Sequence, residues 1–172
     1  MLCEFCYVFV SWPELGRSTK KHESRWCAEM KTIYLISCVA EKRASESPAE
    51  DLYCSALFEK ARAYVLRNIQ HGDEWFILSA KYGLLKPEVV IGPYNETLNN
   101  MGKAERLHWA QKVLEELRNV VHRDDVLVFL AGLKYREFLE PGLLELGCRV
   151  SVPMRGMGIG EQLKWLNHTR SL

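Results

Sequence analysis

The sequence predicts one α/β domain, a mainly parallel sheet of about four strands with helices on both faces, in a Rossmann-like three-layer arrangement. Short apolar runs alternate with longer stretches whose apolar residues recur at helical spacing. Because a helix separates each strand from the next, we expect parallel strands joined by right-handed crossovers. A length of 172 residues favours a single core.

The first strand and the first helix are predicted from residue type and spacing. Residues 33–37 form an apolar, β-branched run that is too short for a helix, so they are predicted as strand one. Residues 48–68 are predicted as helix one, because Pro48 and the acidic residues after it suit a first helical turn. The apolar residues at near-helical spacing in this stretch are Leu52, Phe58, Ala61 and Val65.

The second strand and helix are separated by a long connection. Residues 75–78 form a continuous apolar run after a break around Gly72, and they are predicted as strand two. Residues 81–101 are rich in glycine and proline and are predicted as a connection. Residues 107–121 are predicted as an amphipathic helix. Its apolar stripe is Leu107, Ala110, Leu114, Leu117 and Val121.

The last part of the chain repeats the alternation twice. Residues 126–130 are predicted as strand three, and residues 135–146 as a shorter helix interrupted near Pro141. Residues 149–152 are predicted as strand four. A glycine-rich loop then leads into the last helix, predicted over residues 161–166.

Composition limits the classes of function. The chain is 48% hydrophobic and 26% charged, which is ordinary for a globular domain. Its net charge of +1 removes the electrostatic case for nucleic acid that a strongly basic domain would give, so any basic surface must be local. No apolar run approaches the roughly 18 to 20 residues that span a bilayer, and no signal peptide is seen. We therefore expect a cytoplasmic protein with reduced thiols and no membrane partner.

Residues 1–29 differ from the rest of the chain because they show no sustained period. The α/β domain is predicted to occupy residues 30–172, with Met30 as an alternative start and residues 1–29 as an N-terminal extension. Cysteine and histidine in this extension form one candidate zinc set; the alternative is a poorly ordered or edge-packed segment. The set is Cys3, Cys6, His22 and Cys27. No other metal site and no cofactor is predicted.

Candidate functional residues lie on the loops that follow the strands, because ligands bind at the carboxyl ends of the strands in such sheets. The candidate ligand-binding residues are Ser37, Cys38 and Lys42 after strand one; Ser79, Lys81, Tyr82 and Gly83 after strand two, followed by Tyr94 and Thr97; Gly132, Tyr135 and Arg136 after strand three; and Gly158, Gly160, Glu161 and Gln162 after strand four. Lys81 and Tyr82 offer a cation, a phenol and an aromatic face, which suit a phosphate or a base. The alternative for Tyr82 is an aromatic ring packed under a turn.

Two other loops allow a functional and a structural interpretation. Gly158 and Gly160 before a helix can expose amides to an anion, although a turn requirement also explains such glycines. Cys38 is a candidate nucleophile or peroxide sensor if a cation such as Lys42 activates it; otherwise it is a small buried residue. Classical hydrolase arrangements of Ser-His-Asp, Cys-His-Asn or paired carboxylates are not evident.

The loop after strand two carries a family resemblance. Its sequence SAKYGLLKP at residues 79–87, followed by Pro93 and Tyr94, resembles that of YaaA-like peroxide-stress proteins. The similarity is greatest to small uncharacterised relatives in that superfamily, which contain a domain of unknown function, and it extends over roughly residues 32–167. The resemblance implies the α/β fold and the strand-end pocket, and it associates the chain with DNA protection under peroxide.

Three functions are therefore open from the sequence. The first is a nucleic-acid or nucleotide-binding protein that protects DNA in oxidative stress, as the resemblance implies. The second is an enzyme that acts on a nucleobase, nucleoside or nucleotide by glycosidic cleavage or transfer. The third is a non-catalytic module that uses its helix faces to bind another protein.

Overall fold

The computed structural model describes residues 30–168, which form a sheet flanked by helices. The elements in chain order are β1 (Thr32–Ser37), β2 (Ser47–Pro48), α1 (Ala49–Leu52), α2 (Ala56–Asn68), β3 (Glu74–Ser79), β4 (Gly83–Leu85), β5 (Val90–Ile91), a 3₁₀ turn (Leu98–Asn100), α3 (Lys103–Arg118), β6 (Val126–Leu130), α4 (Leu133–Arg136), α5 (Leu139–Glu145), β7 (Arg149–Ser151) and α6 (Ile159–His168). The α/β fold predicted from the sequence is confirmed.

The main sheet has five strands in the order β4-β3-β1-β6-β7. β1 lies at the centre and pairs in parallel with β3 and β6, so that Leu35 is opposite Phe76 on one side and Phe129 on the other. β7 pairs in parallel with β6. The chain crosses from β1 to β3 through α2 and from β3 back to β6 through α3. Right-handed crossovers in opposite directions place these two helices on opposite faces of the sheet.

Burial of the strands follows from coverage of both faces. The inner residues of β1, β3 and β6 are buried without alternation, as expected for strands covered on both sides. α2 contacts α6, and α3 contacts α5, which gives two helix pairs beside the sheet. Phe58 and Val65 from α2, with Val113 and Leu117 from α3, belong to the core that these pairs enclose.

The prediction of about four strands missed three short ones inside segments taken as helix or connection. β4 turns back from β3 as an antiparallel edge strand. β2 and β5 form a separate two-stranded sheet. Strands of two or three residues are too short to show a period, so no sequence pattern predicted them.

Helix one is not continuous, contrary to the prediction for residues 48–68. Ser47–Pro48 is extended, α1 ends at Leu52, and Tyr53 has extended backbone angles. α2 then begins after Ser55, whose side chain accepts a hydrogen bond from the backbone N–H of Phe58. The break makes Tyr53 pair with Lys42 in an isolated antiparallel bridge instead of lying inside a helix.

The buried face of α3 differs from the predicted stripe. α3 begins earlier than expected, at Lys103, and its first turn is closed by the Glu105 carboxylate, which accepts the Gly102 N–H at 2.6 Å. Leu107, placed in the predicted stripe, is 43% exposed, whereas Trp109 is 7% exposed. The predicted stripe omitted Trp109, and the buried face of the helix includes this large indole. The buried residues of α3 are Trp109, Ala110, Val113 and Leu117.

The helix predicted over residues 135–146 is two short helices, α4 and α5, with the break at Phe138 rather than at Pro141. Pro141 lies in the first turn of α5, where a missing N–H costs no helical hydrogen bond. α6 begins at Ile159, before the predicted start.

The zinc hypothesis concerns residues outside the described range, namely Cys3, Cys6, His22 and Cys27. Within residues 30–168, no group of three or more histidine, cysteine, aspartate or glutamate side chains is arranged to hold a metal ion. Over the same residues, no helix has the length and apolar character needed to cross a membrane. Cys38, Cys54 and Cys148 are free thiols.

Gly83 provides a test of the β3–β4 hairpin. Its φ is +84°, and a Cβ built there would lie 2.6 Å from Oε2 of Glu116, the oxygen that accepts the Leu84 N–H at 2.7 Å. Gly83→Ala should therefore cost more than the roughly 1 to 2 kcal/mol of a left-handed backbone, because Glu116 must also move. Gly72→Ala is the matched control, since Gly72 has φ +91° and nothing within 4 Å of its Cβ position. Equal losses in urea unfolding would contradict this interpretation.

Candidate functional site

Polar and aromatic side chains from several loops meet at the carboxyl ends of β1, β3 and β6. We call this group the strand-end cluster. Its members are Cys38, Tyr53, Ser79, Tyr82, Tyr94 and Tyr135. All but Tyr82 are buried, so their hydroxyl and thiol groups must find partners inside the protein.

Ser79 organises the turn after β3. It is fully buried, and its Oγ accepts the backbone N–H of Tyr82 at 3.0 Å and that of Lys81 at 3.3 Å. The Ser79 carbonyl accepts the indole N–H of Trp109 at 2.8 Å. The turn is therefore stabilised by hydrogen bonds to the Ser79 hydroxyl and by a hydrogen bond from Trp109 on α3.

Tyr94 lies at the centre of the cluster. Its phenol oxygen is 2.7 Å from Ser79 Oγ and 2.7 Å from the phenol oxygen of Tyr53, which makes a chain of three hydroxyl groups. The Tyr94 ring also meets the ring of Tyr82 edge-on, with centroids 5.4 Å apart. Tyr94 thus joins the long connection after β5 to β3 and to the segment between α1 and α2.

A second link joins β1 to α4. The Cys38 sulfur is 3.2 Å from the Tyr135 phenol oxygen and accepts the Ala80 N–H at 3.4 Å. The Tyr135 ring packs edge-on against Trp109, with centroids 5.8 Å apart. The thiol is therefore enclosed by the ends of three strands. Thr97 caps the 3₁₀ turn, and a hydrogen bond from its side chain to the Tyr135 phenol lowers the pKa of that phenol, against the larger effect of burial.

Two lysine ammonium groups converge on the cluster. Lys42 Nζ lies 4.2 Å from the Tyr94 ring centroid and donates to the Val39 carbonyl at 2.9 Å. Lys81 Nζ lies 5.9 Å from the same centroid and 5.3 Å from that of Tyr82. Within residues 30–168, neither ammonium forms an ion pair with a carboxylate.

Burial governs the ionisation of these groups. Desolvation raises the pKa of the Tyr53, Tyr94 and Tyr135 phenols well above the usual tyrosine value, so all three are neutral at physiological pH. Desolvation lowers the pKa of Lys42, although Cys38 and Glu96 act in the opposite direction. The strand-end cluster therefore presents neutral hydroxyls, and the two lysines beside it supply positive charge.

A groove opens beside Lys81, between the turn after β3 and the first half of α3. It encloses about 510 Å³, and we call it the α3 groove. The residues that line it include Lys81, Met101, Ala104, His108, Trp109 and Lys112. Lys81 belongs both to this groove and to the pair of lysines around Tyr94.

The arginine predicted after strand three belongs to a different group. Arg136 is buried, and its guanidinium pairs with Glu140, which also accepts Arg155 Nη2 at 2.7 Å. Burial opposes ionisation of Glu140, but the two arginines outweigh it and lower the pKa of that carboxyl. No hydrogen bond or ion pair within residues 30–168 joins Arg136 to the strand-end cluster.

The glycine loop before α6 also lies apart. The Gly158 N–H donates to Oε2 of Glu161 at 2.8 Å, and the Gln162 side-chain amide donates to the Met157 carbonyl at 2.8 Å. The chain's own carboxylate thus occupies the amide that was predicted to bind an anion. Gly156, rather than Gly158 or Gly160, has a positive φ, of +79°.

The remaining predicted residues have structural surroundings. Gly83 forms the hairpin described above, and the Gly132 carbonyl accepts the Tyr135 N–H at 3.0 Å at the start of α4. Ser37 is half-buried at the end of β1. Binding by any of the predicted residues stays a prediction.

Sequence reasoning missed Tyr53 and Trp109. Tyr53 fell inside a predicted helix, and the signal that would have separated it is Ser55, a favoured N-cap residue two positions later. Trp109 lay on the helix but outside the predicted stripe. The hydrogen bond from the Trp109 indole to the Ser79 carbonyl depends on how α3 packs against the sheet, which no local sequence pattern predicts.

The fold and the site define a class, a small α/β domain with a buried hydroxyl cluster and two lysines at the strand ends. Residues 33–168 match the family of unknown function DUF6884, and the chain belongs to that family. It is 33% identical over 151 residues to the uncharacterized protein YfjM of Bacillus subtilis (strain 168), covering 80% of this chain and 94% of that protein. No solved structure gives a significant match.

The buried phenols predict loss of stability at alkaline pH. Their folded-state pKa lies above the unfolded value of 10.0, so stability is fully present below pH 10 and falls as the unfolded chain ionises above it. Each phenol should contribute about 1.4 kcal/mol per pH unit. The lowered pKa of Lys42 makes stability rise with pH, the opposite of the effect of the phenols. One lysine does not offset three phenols, so the net change is a loss of stability.

Tyr94→Phe isolates one of these phenols. It should cost about 1 to 3 kcal/mol at pH 8, because Ser79 and Tyr53 each lose a buried partner. Urea unfolding between pH 9 and pH 11 should then show a shallower fall than in the parent protein. An unchanged slope would show that Tyr94 does not keep its proton in the folded state.

Proposed function

We propose that this domain binds a nucleotide-class ligand, free or as a unit of nucleic acid, at the carboxyl ends of its strands. The observation that carries the proposal is the convergence of two ammonium groups on one aromatic ring. Lys42 and Lys81 lie 4.2 and 5.9 Å from the Tyr94 centroid, with no carboxylate paired to either in the described residues.

Charge explains why this arrangement favours an anion. Each ammonium is attracted by the electron-rich face of an aromatic ring, but two cations near the same ring repel each other. A phosphate near both would remove that repulsion and accept hydrogen bonds from them. Lys42 is partly desolvated, which strengthens its interaction with an anion.

The α3 groove supports a nucleotide over a bare anion. Its volume of about 510 Å³ falls in the range of small-molecule sites. It begins at Lys81, so a ligand with its phosphate at the lysines would extend into it. The resemblance of residues 79–87 to YaaA-like proteins suggests the same ligand class, and a role in DNA protection under oxidative stress in the cytoplasm is part of the proposal.

Isothermal titration with nucleoside monophosphates, nucleoside triphosphates and a single-stranded oligonucleotide tests the proposal. At least one of these should bind, and Lys81→Met should weaken that binding by about tenfold, or 1.4 kcal/mol. Lys164→Met is the matched control, because Lys164 is exposed on α6 and away from the cluster. Absence of binding by every probe, or equal affinity in the two variants, would refute the proposed function.

A further inference from the structure

The groove and the lysine pair share one residue, which fixes how a ligand would lie across them. Lys81 lines the α3 groove, and its ammonium also faces the rings of Tyr82 and Tyr94. A ligand that places an anionic group at Lys81 and Lys42 therefore has the groove as its open continuation. The anionic and the planar parts of the ligand have separate places.

The groove offers an apolar surface that suits a planar heterocycle. Trp109 is buried beneath it, and the indole N–H is already used by the Ser79 carbonyl, so the ring contributes only its apolar surface. Met101 and Ala104 add a polarizable thioether and a methyl group. His108 and Lys112, one helical turn apart, also line the groove, and the Lys112 ammonium donates to the Tyr82 carbonyl at 3.2 Å.

Carboxylates around the site limit the size of the anion. The Glu96 carboxylate attracts the Lys42 ammonium and raises its pKa, against the larger effect of burial. Glu105 lines the groove, and the Glu116 carboxylate lies 3.9 Å from Lys112 Nζ. A DNA duplex carries about one negative charge per 1.7 Å of its axis and needs a track of cations. A chain of net charge +1, with these carboxylates beside its two lysines, attracts such a polyanion only weakly.

We infer that the ligand is a single nucleotide unit, with its phosphate at Lys42 and Lys81 and its base in the α3 groove. Duplex DNA is then not the ligand, and a role in DNA protection would act through single nucleotide units. This inference rests on the proposed function and adds the position of the base and the size of the ligand. It separates two contributions to affinity, one from the lysines and one from the groove.

Filling the groove tests the inference with adenosine monophosphate and inorganic pyrophosphate as probes. Ala104 is exposed on the first turn of α3, so Ala104→Trp should fill the groove without disturbing the core. It should weaken adenosine monophosphate by at least about tenfold and leave pyrophosphate within about twofold. Ala56→Trp, on the first turn of α2, is the matched control. His108→Trp fills the same groove from another position should Ala104→Trp fail to fold.

The outcomes are distinguishable. If the unsubstituted protein binds the monophosphate but the groove variants and Ala56→Trp bind it equally, the base does not lie in the groove and the inference is wrong while the proposed function stands. If the protein binds a 20-base-pair duplex more tightly than the monophosphate at physiological salt, the inference on ligand size is wrong. If no nucleotide probe binds, the proposed function fails, and the inference fails with it.

Discussion

One phenol hydroxyl, that of Tyr94, holds together three parts of the chain that are distant in sequence. It bonds to Ser79 at the end of β3 and to Tyr53 between α1 and α2, and both oxygen–oxygen distances are 2.7 Å. A buried hydroxyl without a partner costs about 1 to 3 kcal/mol, so each of the three segments is constrained by the other two. The extended break before α2 and the tight turn after β3 are therefore parts of one arrangement.

The same side chain underlies the candidate ligand site. The hydroxyl of Tyr94 points into the network, while its ring lies beneath the ammonium groups of Lys42 and Lys81. A displacement of the Tyr94 ring would therefore displace the aromatic face near which both lysine ammonium groups lie. A second link, from Cys38 through Tyr135 to Trp109, ties the end of β1 to α4 and α3. The site is thus preorganised by buried contacts rather than by the ligand.

The sequence was sufficient for the four parallel strands of the main sheet and for most of the cluster, because both depend on local patterns. Strands buried on both faces leave continuous apolar runs, and parallel strands bring the loops after them to one edge, which identified Ser79 and Lys81. Tyr94 was identified from the resemblance to YaaA-like proteins and from the length of the connection. The remaining partners were not predicted, although Ser55 is a local signal for the helix break at Tyr53. The contacts of Tyr53 depend on a break between α1 and α2, and those of Trp109 depend on how α3 packs on the sheet. The Gly158 amide, which was predicted to bind an anion, is instead bonded to the Glu161 carboxylate. Sequence patterns predict which loops lie close together, but they do not predict which atoms of those loops form hydrogen bonds with each other.

The side-chain ammonium signals of Lys42 and Lys81, followed by nuclear magnetic resonance during titration with adenosine monophosphate, test most directly whether Tyr94 assembles both lysines into one site. Both signals should shift along one binding curve with the same midpoint, since one phosphate contacts both groups. A shift of only one signal, different midpoints for the two, or binding that leaves both unchanged would contradict the assignment of the lysine pair as a single anion site.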